Sequence, residues 1–378
     1  MTTEPLMTFG LGLIVGKFYP PHAGHHALID AAAAACDRVI VVVAPSSGES
    51  IPLEARLTWL RDAHPPHVEV VGRYDDNPVD YDDPDAWDRH VAVFRETAGV
   101  DRVDAVFSSE LYGDELARRF GAVPVTVDLD RARVPVSGTA VRNDPAGHWH
   151  LLGPGVRAWL TRRVIVVGAE STGTTTIARA LARHYRLRGG VWADTRWVPE
   201  FGRELTERKL RALQRERPDA VVDDVEWDYD DFVTVAGEQN AAEDRAARAR
   251  SPVLFGDTDA LATTIWEERY LGRGSVAVRE RVRRPDLYLL TDHEGVPFVQ
   301  DGLRDGEDIR AWMTGRFRAE LRASGVPHQL LTGDLAARLR AAVRATDDLL
   351  ARGWTFKPPL SPADQRPNQD ACGRRFWR

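Results

Sequence analysis

The chain has 378 residues, of which 43% are hydrophobic and 28% are charged, with a formal net charge of −7 and two cysteines, Cys36 and Cys372. These values exclude a disordered chain and a disulfide framework, and they disfavour a general nucleic-acid binder, which needs a basic surface to neutralise phosphates. No apolar run approaches the roughly 20 residues needed to span a bilayer, so the sequence predicts a cytoplasmic protein of two domains with no membrane partner.

The first half of the chain alternates short β-branched runs with longer helical patterns. Such alternation is typical of βαβ units, which form a parallel sheet with helices on both faces. We therefore predict a Rossmann-like α/β domain over residues 8–150. Its predicted strands are residues 11–16, 38–44, 67–72, 105–110 and 124–129, and its predicted helices include 26–36 and 53–63.

The alternation restarts with a predicted strand over residues 162–168, after a boundary region that we place at 146–161. Further strands are predicted at 251–259 and 286–291. Together these elements predict a second α/β domain, of the P-loop kinase-like type, over residues 162–352.

Three polar stretches interrupt or follow these patterns. The segments 74–88 and 223–231 mix acidic with aromatic residues, and we expect them to be solvated loops. The proline-rich tail, residues 357–378, is expected to be disordered because it contains too few apolar residues to form a core.

The run GKFYPPHAGHHALI, which begins at Gly16, joins the first predicted strand to the first helix. A glycine at this position lets the backbone approach a phosphate, and the helix that begins at about Gly24 directs its free N–H groups to the same place. His22 and His25 are spaced so that both can face the loop, and Lys17 adds a cation. These residues predict an anion-binding site.

The same run resembles the G-x-F-x-P-x-H-x-G-H signature of the HxGH nucleotidyltransferases, matched by Gly16, Phe18, Pro20, His22, Gly24 and His25. Further along the chain, VSGTAVR is similar to the second signature of that family, ISGTxxR, matched by Ser137, Gly138, Thr139 and Arg142. The resemblance implies adenylyl transfer. In that reaction an acceptor phosphate attacks the α-phosphorus of ATP and pyrophosphate leaves, so that catalysis consists of positioning and charge stabilisation.

The resemblance also implies roles for individual side chains. His22 and His25 would bind the triphosphate of ATP, while Lys17 and Arg142 would balance charge on the transferred and leaving phosphates. The other implied contacts are phosphate binding by Ser137 and Thr139 at a second helix start, and a substrate pocket that includes Arg56 and Tyr112.

The stretch GAESTGTTT, residues 168–176, fits the phosphate-binding pattern G-x-x-x-x-G-K-[ST] except that Thr174 occupies the lysine position. A predicted strand precedes it and a helical pattern follows it. A further predicted strand contains the run VLFGDTD, which places Asp257 and Asp259 at the carboxyl edge of the sheet. Ligands bind at this edge in open α/β folds. We therefore predict a second nucleotide site, whose loop residues are Gly168, Glu170, Ser171, Thr172, Gly173, Thr174, Thr175 and Thr176.

The two halves together resemble the NadR-type family of bifunctional proteins, in which a nicotinamide mononucleotide adenylyltransferase domain precedes a ribosylnicotinamide kinase domain. The similar segments of the second half are WVPEFGREL at 197–205, GDTDALATTIW at 256–266 and PFVQDGLRD at 297–305. The helix-turn-helix of some family members has no counterpart in this sequence, so no DNA-binding domain is expected.

For the second site, the resemblance implies that backbone N–H groups of the loop hold the phosphates of ATP and that Thr175 binds Mg²⁺. Asp257 or Asp259 would orient Mg²⁺ or accept the proton of the ribose 5′-hydroxyl, and Glu200 is a further candidate acid. Arg304 would reach the transferred phosphoryl group as an arginine finger. The implied substrates are ATP, nicotinamide mononucleotide and nicotinamide riboside.

The missing loop lysine keeps two interpretations open for the second half. It is either a kinase, in which another cation such as Arg304 replaces the lysine, or a nucleotide-sensing module without turnover. For the first half, the alternative is a nucleotidyltransferase for another phosphorylated acceptor, such as phosphopantetheine. The sequence leaves open the preference between amidated and deaminated nucleotides and the oligomeric state, a homo-oligomer included.

Overall fold

The computed structural model describes residues 9–303 and 306–360, and the chain divides into two compact units. Unit 1 comprises Met1–Val156 together with Trp354–Arg378, and unit 2 comprises Arg157–Gly353. The sequence places the domain boundary at 146–161. Within the described ranges, no helix is both long and apolar enough to cross a membrane.

Unit 1 is built on a parallel sheet of five strands. They are β1 (Phe9–Gly16), β2 (Cys36–Val43), β3 (Val68–Gly72), β4 (Ala105–Ser108) and β5 (Val123–Thr126), in the spatial order β3-β2-β1-β4-β5. The helices are α1 (Ala23–Ala35), α2 (Leu53–Arg61), α3 (Pro84–Ala98), α4 (Gly113–Phe120) and α5 (Gly138–Asn143), followed by α6 (Pro154–Leu160), which contains the division between the units.

Unit 2 has a second parallel sheet of five strands. They are β6 (Arg162–Gly168), β7 (Arg196–Val198), β8 (Val253–Asp257), β9 (Leu287–Thr291) and β10 (His328–Leu331), in the order β10-β9-β6-β8-β7. The helices are α7 (Thr174–Leu187), α8 (Phe201–Glu216), α9 (Tyr229–Ala247), α10 (Ala260–Leu271), α11 (Val276–Arg279), α12 (Arg310–Ser324) and α13 (Leu335–Ala351).

Both sheets are covered on their two faces, as expected for parallel sheets. In β2, Val39, Val41 and Val43 pack into one hydrophobic core, while Ile40 and Val42 pack into the core on the opposite face. Such a strand therefore carries a continuous apolar run instead of an alternating one, and the sequence CDRVIVVV has that form.

In each sheet, the first strand lies in the centre, at the place where the strand order reverses. β1 lies between β2 and β4, and β6 lies between β8 and β9. The carboxyl ends of the strands border a crevice at this place, which is the usual ligand site of open α/β folds. Both predicted phosphate-binding loops leave the sheet there.

The predicted α/β fold is confirmed in both halves, and each predicted strand overlaps an observed one. The sequence analysis did not predict two of the observed strands, β7 and β10. Each lies at an edge of its sheet and has only three or four residues, so neither carries a long apolar run.

The two acidic stretches are only partly loops, which corrects the expectation. α3 begins at Pro84, and the Asp83 side chain accepts a hydrogen bond from the backbone N–H of Asp85. α9 begins at Tyr229, and its N-cap Asp228 forms a capping box with Asp231, in which each side chain accepts a hydrogen bond from the backbone N–H of the other. Acidic residues stabilise these helix starts because they accept hydrogen bonds from N–H groups that have no partner within the helix.

The first four residues of the tail, 357–360, also differ from the expectation of disorder, because they belong to compact unit 1 and because Lys357 and Leu360 make hydrogen bonds there. Residues 361–378 of the predicted tail lie outside the described residues.

Candidate active sites

The loop between β1 and α1 forms the first site. A side chain at Gly16 would come within 3.2 Å of the Phe18 ring, so glycine lets this ring pack against the end of the strand. Phe18 has a φ of 48°, in the left-handed region, and is buried. The loop then reaches α1, where His22 is the N-cap residue and His25 lies in the first turn.

His22 and His25 are stacked, with ring centroids 3.7 Å apart and an interplanar angle of 28°. Burial is the main cause that lowers the pKa of His22 to about 4, with a smaller contribution from His26, and burial also holds the pKa of His25 well below its usual value. Both rings are therefore neutral at pH 7.

Several nitrogens of these two rings are buried and have no hydrogen-bond partner among the described residues. They are Nδ1 and Nε2 of His22 and Nδ1 of His25. A buried polar group without a partner costs about 1–3 kcal/mol. Because a neutral imidazole donates one N–H and accepts at its other nitrogen, these atoms mark a place where a ligand's polar atoms would stabilise the site.

A cavity of about 1100 Å³ opens beside the His25 ring, whereas His22 lines a smaller cavity on which His25 also borders. Lys17 lies in the wall of the larger cavity, with Nζ 3.6 Å from Glu49 Oε1. Arg142 also lies in the wall, and its Nη1 donates a hydrogen bond of 2.7 Å to the carbonyl of Tyr19. Burial lowers the pKa of both cations. An anion therefore meets them in a partly desolvated site, where electrostatic attraction is stronger than in water.

The second signature orients Arg142 toward the first signature. Ser137 is the N-cap of α5, and its Oγ accepts a hydrogen bond from the backbone N–H of Ala140. Thr139 Oγ1 accepts a hydrogen bond of 3.0 Å from Arg142 Nη2. A side chain at Gly138 would lie 3.1 Å from Arg142 Nη1, so a glycine leaves room for the guanidinium. All of these residues except Ala140 line the cavity.

Arg56 and Tyr112, the two predicted pocket residues, have different positions. Tyr112 lines the cavity, and burial raises the pKa of its phenol. Arg56 does not line it, which corrects the prediction. Its guanidinium is fully buried, pairs with Glu49 Oε2 at 2.6 Å and donates a hydrogen bond of 2.6 Å to the carbonyl of Lys17. Arg56 therefore stabilises the loop between β1 and α1 from its buried side, without contact with the cavity.

The second site is the loop from β6 into α7. A side chain at Gly168 would collide with Thr291 Oγ1, and Gly173, with a φ of 88°, is the N-cap of α7. The predicted loop residues line a cavity of about 140 Å³, with the exception of Thr172. Thr172 instead donates a hydrogen bond of 2.6 Å to the carbonyl of Ala169, and this bond braces the loop.

Asp257, at the end of β8, is buried beside this loop. Burial raises the pKa of its carboxyl group, while hydrogen bonding with the Thr175 and Thr174 hydroxyls lowers it. The residue at the lysine position, Thr174, therefore interacts with the acid at the end of the neighbouring strand. Asp257 and Thr175 together supply oxygen atoms, which are the ligands that Mg²⁺ prefers.

Asp259 is placed differently, although the sequence offered it as an equivalent acid. Its Oδ1 accepts a hydrogen bond from the backbone N–H of Ala262 and caps α10, and its Oδ2 accepts one of 2.6 Å from the Tyr288 hydroxyl. Burial raises the pKa of this carboxyl group to about 6. Because both oxygens serve the fold, the geometry argues against Asp259 as the acid that meets substrate.

Arg203 is the only basic side chain among the described residues that line the second cavity. It belongs to α8, and its Nη2 lies 2.8 Å from Asp301 Oδ2. Glu200 and Glu170 line the same cavity, and Glu170 pairs with Arg269 at 3.4 Å. Arg304, predicted as an arginine finger, lies outside the described residues.

Comparison with known proteins covers both units. A cytidylyltransferase-like family model matches residues 13–144, and an AAA domain model matches residues 163–338. The trifunctional NAD biosynthesis/regulator protein NadR of Escherichia coli (strain K12) is 25% identical over 314 residues, which are 78% of this chain and 71% of that protein. The NadR protein of Salmonella typhimurium (strain LT2) is 24% identical over 311 residues, with the same coverage of each chain. The chain is a homologue of NadR.

Solved NadR structures share the fold over nearly the whole chain. NadR in complex with NR has a TM-score of 0.69 and 22% identity, covering 93% of this chain and 98% of the other. NadR in complex with NAD and AMP-PNP has a TM-score of 0.67 and 22% identity, covering 94% and 99%. The predicted relationship to NadR, an adenylyltransferase-like unit followed by a P-loop unit, is therefore confirmed.

Aromatic side chains that the sequence analysis missed line both cavities of this NadR homologue. In unit 1, Tyr81 stacks on Tyr112 with ring centroids 6.2 Å apart, and Trp87 lies nearby. In unit 2, the cavity is lined by Trp227, Phe232, Trp266 and Tyr270.

The available signal for these residues was the mixture of acids and aromatics in segments 74–88 and 223–231, which we interpreted as solvated loops. A second signal was the spacing of Trp266 and Tyr270, four residues apart on one helix, which places both on the same face. Their ring centroids lie 6.2 Å apart.

Proposed function

We propose that unit 1 transfers the adenylyl group of ATP to nicotinamide mononucleotide, giving NAD and pyrophosphate. The observation that carries this proposal is the stacked pair of His22 and His25, whose ring nitrogens have no partner among the described residues. His22 lines a smaller cavity, whereas His25, Lys17 and Arg142 together line one large cavity. Its volume, about 1100 Å³, suits two nucleotides better than a single small ligand. The homology to NadR, an NAD biosynthesis protein, supports this choice of reaction.

In this reaction an oxygen of the mononucleotide phosphate forms a bond to the α-phosphorus of ATP. The bond from that phosphorus to the bridging oxygen breaks, and pyrophosphate carries the electron pair away. The neutral His22 and His25 would donate hydrogen bonds to the triphosphate, while Lys17 and Arg142 would oppose the charge that develops on the transferred and leaving groups. Such preorganised donors stabilise the transition state without a covalent intermediate.

A direct assay tests the assignment. The purified full chain is incubated with ATP, Mg²⁺ and nicotinamide mononucleotide, and the products are separated by chromatography. We expect stoichiometric NAD and pyrophosphate. Parallel reactions contain the deaminated mononucleotide or phosphopantetheine as acceptor. If phosphopantetheine is adenylylated and no NAD forms, the proposal is wrong and unit 1 is a nucleotidyltransferase for another phosphorylated acceptor.

We propose further that unit 2 phosphorylates the 5′-hydroxyl of nicotinamide riboside. Four aromatic side chains offer π-faces to a planar, positively charged pyridinium ring, which aromatic rings attract. Asp257 would accept the hydroxyl proton, and the loop N–H groups of residues 169–175 would hold the phosphates. Mg²⁺ would be held by Thr175 and Asp257 and would neutralise charge on the phosphates. The described residues contain no cluster of three metal-ligating side chains, so the phosphates and water would complete its coordination.

We assign the role of the absent lysine in this reaction to Arg203. It lines the same cavity as Thr174, and its positive charge lowers the pKa of Asp257. A guanidinium matches the geometry of phosphate oxygens and stays charged at all relevant pH values. The sequence-based candidate Arg304 remains a prediction.

The competing function of unit 2 is nucleotide sensing without turnover, which Thr174 favours. Incubation of the full chain with ATP, Mg²⁺ and nicotinamide riboside distinguishes the two. A kinase forms nicotinamide mononucleotide and ADP, and in this chain the mononucleotide would proceed to NAD. If ATP binds to unit 2 but no phosphorylated riboside forms, the sensing function is correct.

A further inference from the structure

After α13, the chain returns to unit 1 through residues 354–360, which we name the C-terminal segment. Trp354 lies beside the buried Trp149, with ring centroids 6.0 Å apart. Phe356 meets the Tyr19 ring edge-on, at a centroid distance of 5.9 Å. Aromatic pairs with this geometry stabilise contacts beyond the area that they bury. The C-terminal segment is therefore held by two aromatic contacts.

Hydrogen bonds continue the attachment toward the cavity. The backbone N–H of Lys357 donates to Ser50 Oγ at 2.7 Å, and the Tyr19 hydroxyl donates to the carbonyl of Lys357 at 2.9 Å. At its described end, the carbonyl of Leu360 accepts a hydrogen bond of 2.7 Å from Lys17 Nζ. Pro359 and Leu360 also line the cavity of unit 1.

We propose that the C-terminal segment completes the adenylyltransferase site, and that the Leu360 carbonyl positions Lys17 for the phosphates of ATP. This inference rests on the function proposed for unit 1. It assigns part of the first active site to residues that follow the whole of unit 2 in the chain. Lys17 is the group that meets substrate, and the C-terminal segment acts through it.

The chemistry of the contact favours positioning over inhibition. A lysine side chain is long and flexible, so its ammonium group has to be ordered before it can act at one place. A backbone carbonyl orders it through a single hydrogen bond and so occupies only one of its three N–H donors. Because the carbonyl carries no net charge, the positive charge of Lys17 still attracts phosphates. Glu49 Oε1, at 3.6 Å, supports the ammonium group from another side.

The test removes the aromatic contact in the full chain with Phe356→Ala, so that the C-terminal segment detaches. We expect kcat/KM for ATP in NAD formation to fall about 10-fold, within the usual range for coupled residues. Thr355→Ala, at an exposed neighbouring position, is the matched control and keeps the wild-type value. Phe356→Tyr, which retains an aromatic ring, restores most of the activity.

Repeating the substitution in a Lys17→Ala enzyme distinguishes a positioning role of the C-terminal segment from a merely structural one. In Lys17→Ala enzyme, Phe356→Ala is expected to change the residual activity less than about 2-fold, because its effect passes through Lys17. Equal losses in both backgrounds would show a merely structural role and overturn the inference. Faster turnover of Phe356→Ala would also overturn it, since the contact would then be inhibitory.

Ser50→Ala provides an independent variant, because it removes only the acceptor of the Lys357 N–H. It is expected to lower kcat/KM for ATP in the same direction as Phe356→Ala. If Phe356→Ala fails to fold, Ser50→Ala serves as the test in its place. Failure of this inference is distinct from failure of the proposed function. An active wild-type chain with unaffected variants contradicts only the inference, whereas a wild-type chain that makes no NAD contradicts the proposed function.

Discussion

The two units present phosphate-binding loops at equivalent places in their sheets, yet they supply positive charge by different means. In unit 1, Lys17 and Arg142 are side-chain cations in the cavity wall, beside the neutral His22 and His25. In unit 2, the donors that we propose are loop N–H groups, and Arg203 is the only described basic residue that lines the cavity. Backbone donors persist when a side chain changes, so binding can survive the loss of a lysine. Turnover depends on charge near the transferred group, so it is the property that Thr174 puts at risk.

The largest expected effect concerns the cation of unit 2. Arg203→Ala should lower riboside phosphorylation by about 10³-fold, because arginine cations at a transferred phosphoryl group contribute about 10³–10⁵ to kcat. Initial rates of mononucleotide formation measure the effect. Arg211→Ala, an exposed position on the same helix, serves as control.

Thr174→Lys sharpens the same comparison. If Arg203 already supplies the charge, the added lysine leaves the kinase rate unchanged or lowers it. A rate increase of 10-fold or more, on the order of one ordinary catalytic contact, would mean that the loop lacks its cation and that Arg203 was wrongly assigned.

In unit 1, His25→Ala should lower kcat for NAD formation by about 10²-fold or more, since it removes a donor to the charge of the transition state. His150→Ala, which changes an exposed histidine outside the cavity, is the matched control. Circular dichroism of both variants establishes that they fold. Wild-type turnover in His25→Ala would contradict the assigned site.

The two acids of unit 2 should separate under mutation. Asp257→Asn should lower riboside phosphorylation by about 10²-fold, because the amide is not a base. Asp259→Asn should keep the kinase rate within a few-fold while lowering the free energy of unfolding by about 1–3 kcal/mol, the usual cost of disturbing buried hydrogen bonds. Thermal and denaturant unfolding, measured beside kinase rates, test this. Loss of activity in Asp259→Asn at unchanged stability would reverse the two roles.

The smallest expected effect on rate is that of pH. Because the pKa of His22 is about 4 and that of His25 is also lowered in the ligand-free protein, these rings should cause no inflection near pH 6.5 in kcat/KM for NAD formation. Stability should respond instead. The unfolded chain takes up protons at these histidines below pH 6.5, whereas the folded chain resists them, so the free energy of unfolding should fall as pH drops from 6.5 toward 4. An inflection near pH 6.5 in kcat/KM that His25→Ala abolishes would contradict the lowered pKa of that ring.

Much of the first site could be predicted because its residues form two compact motifs. Gly16 to His25 and Ser137 to Arg142 carry their geometry locally, through tight turns and helix starts. Arg56 and Asp259 could not be assigned in the same way. Each is a charged residue close to a motif. Only the partners that distant segments supply, the Lys17 carbonyl for Arg56 and Tyr288 for Asp259, reveal that it supports the fold.

The sequence by itself determined the parallel α/β class, the relationship to NadR and the positions of the two strand-to-helix loops that we propose bind phosphate. It could do so because apolar runs, turns and motifs are local patterns of neighbouring residues. Only the tertiary structure decided which aromatic rings surround each cavity, that Arg203 shares a cavity with Thr174, and that the carbonyl of Leu360 meets Lys17. These contacts join residues far apart in the chain, and a backbone carbonyl has no sequence signature. Long-range pairing of this kind follows from packing, which a linear pattern does not encode.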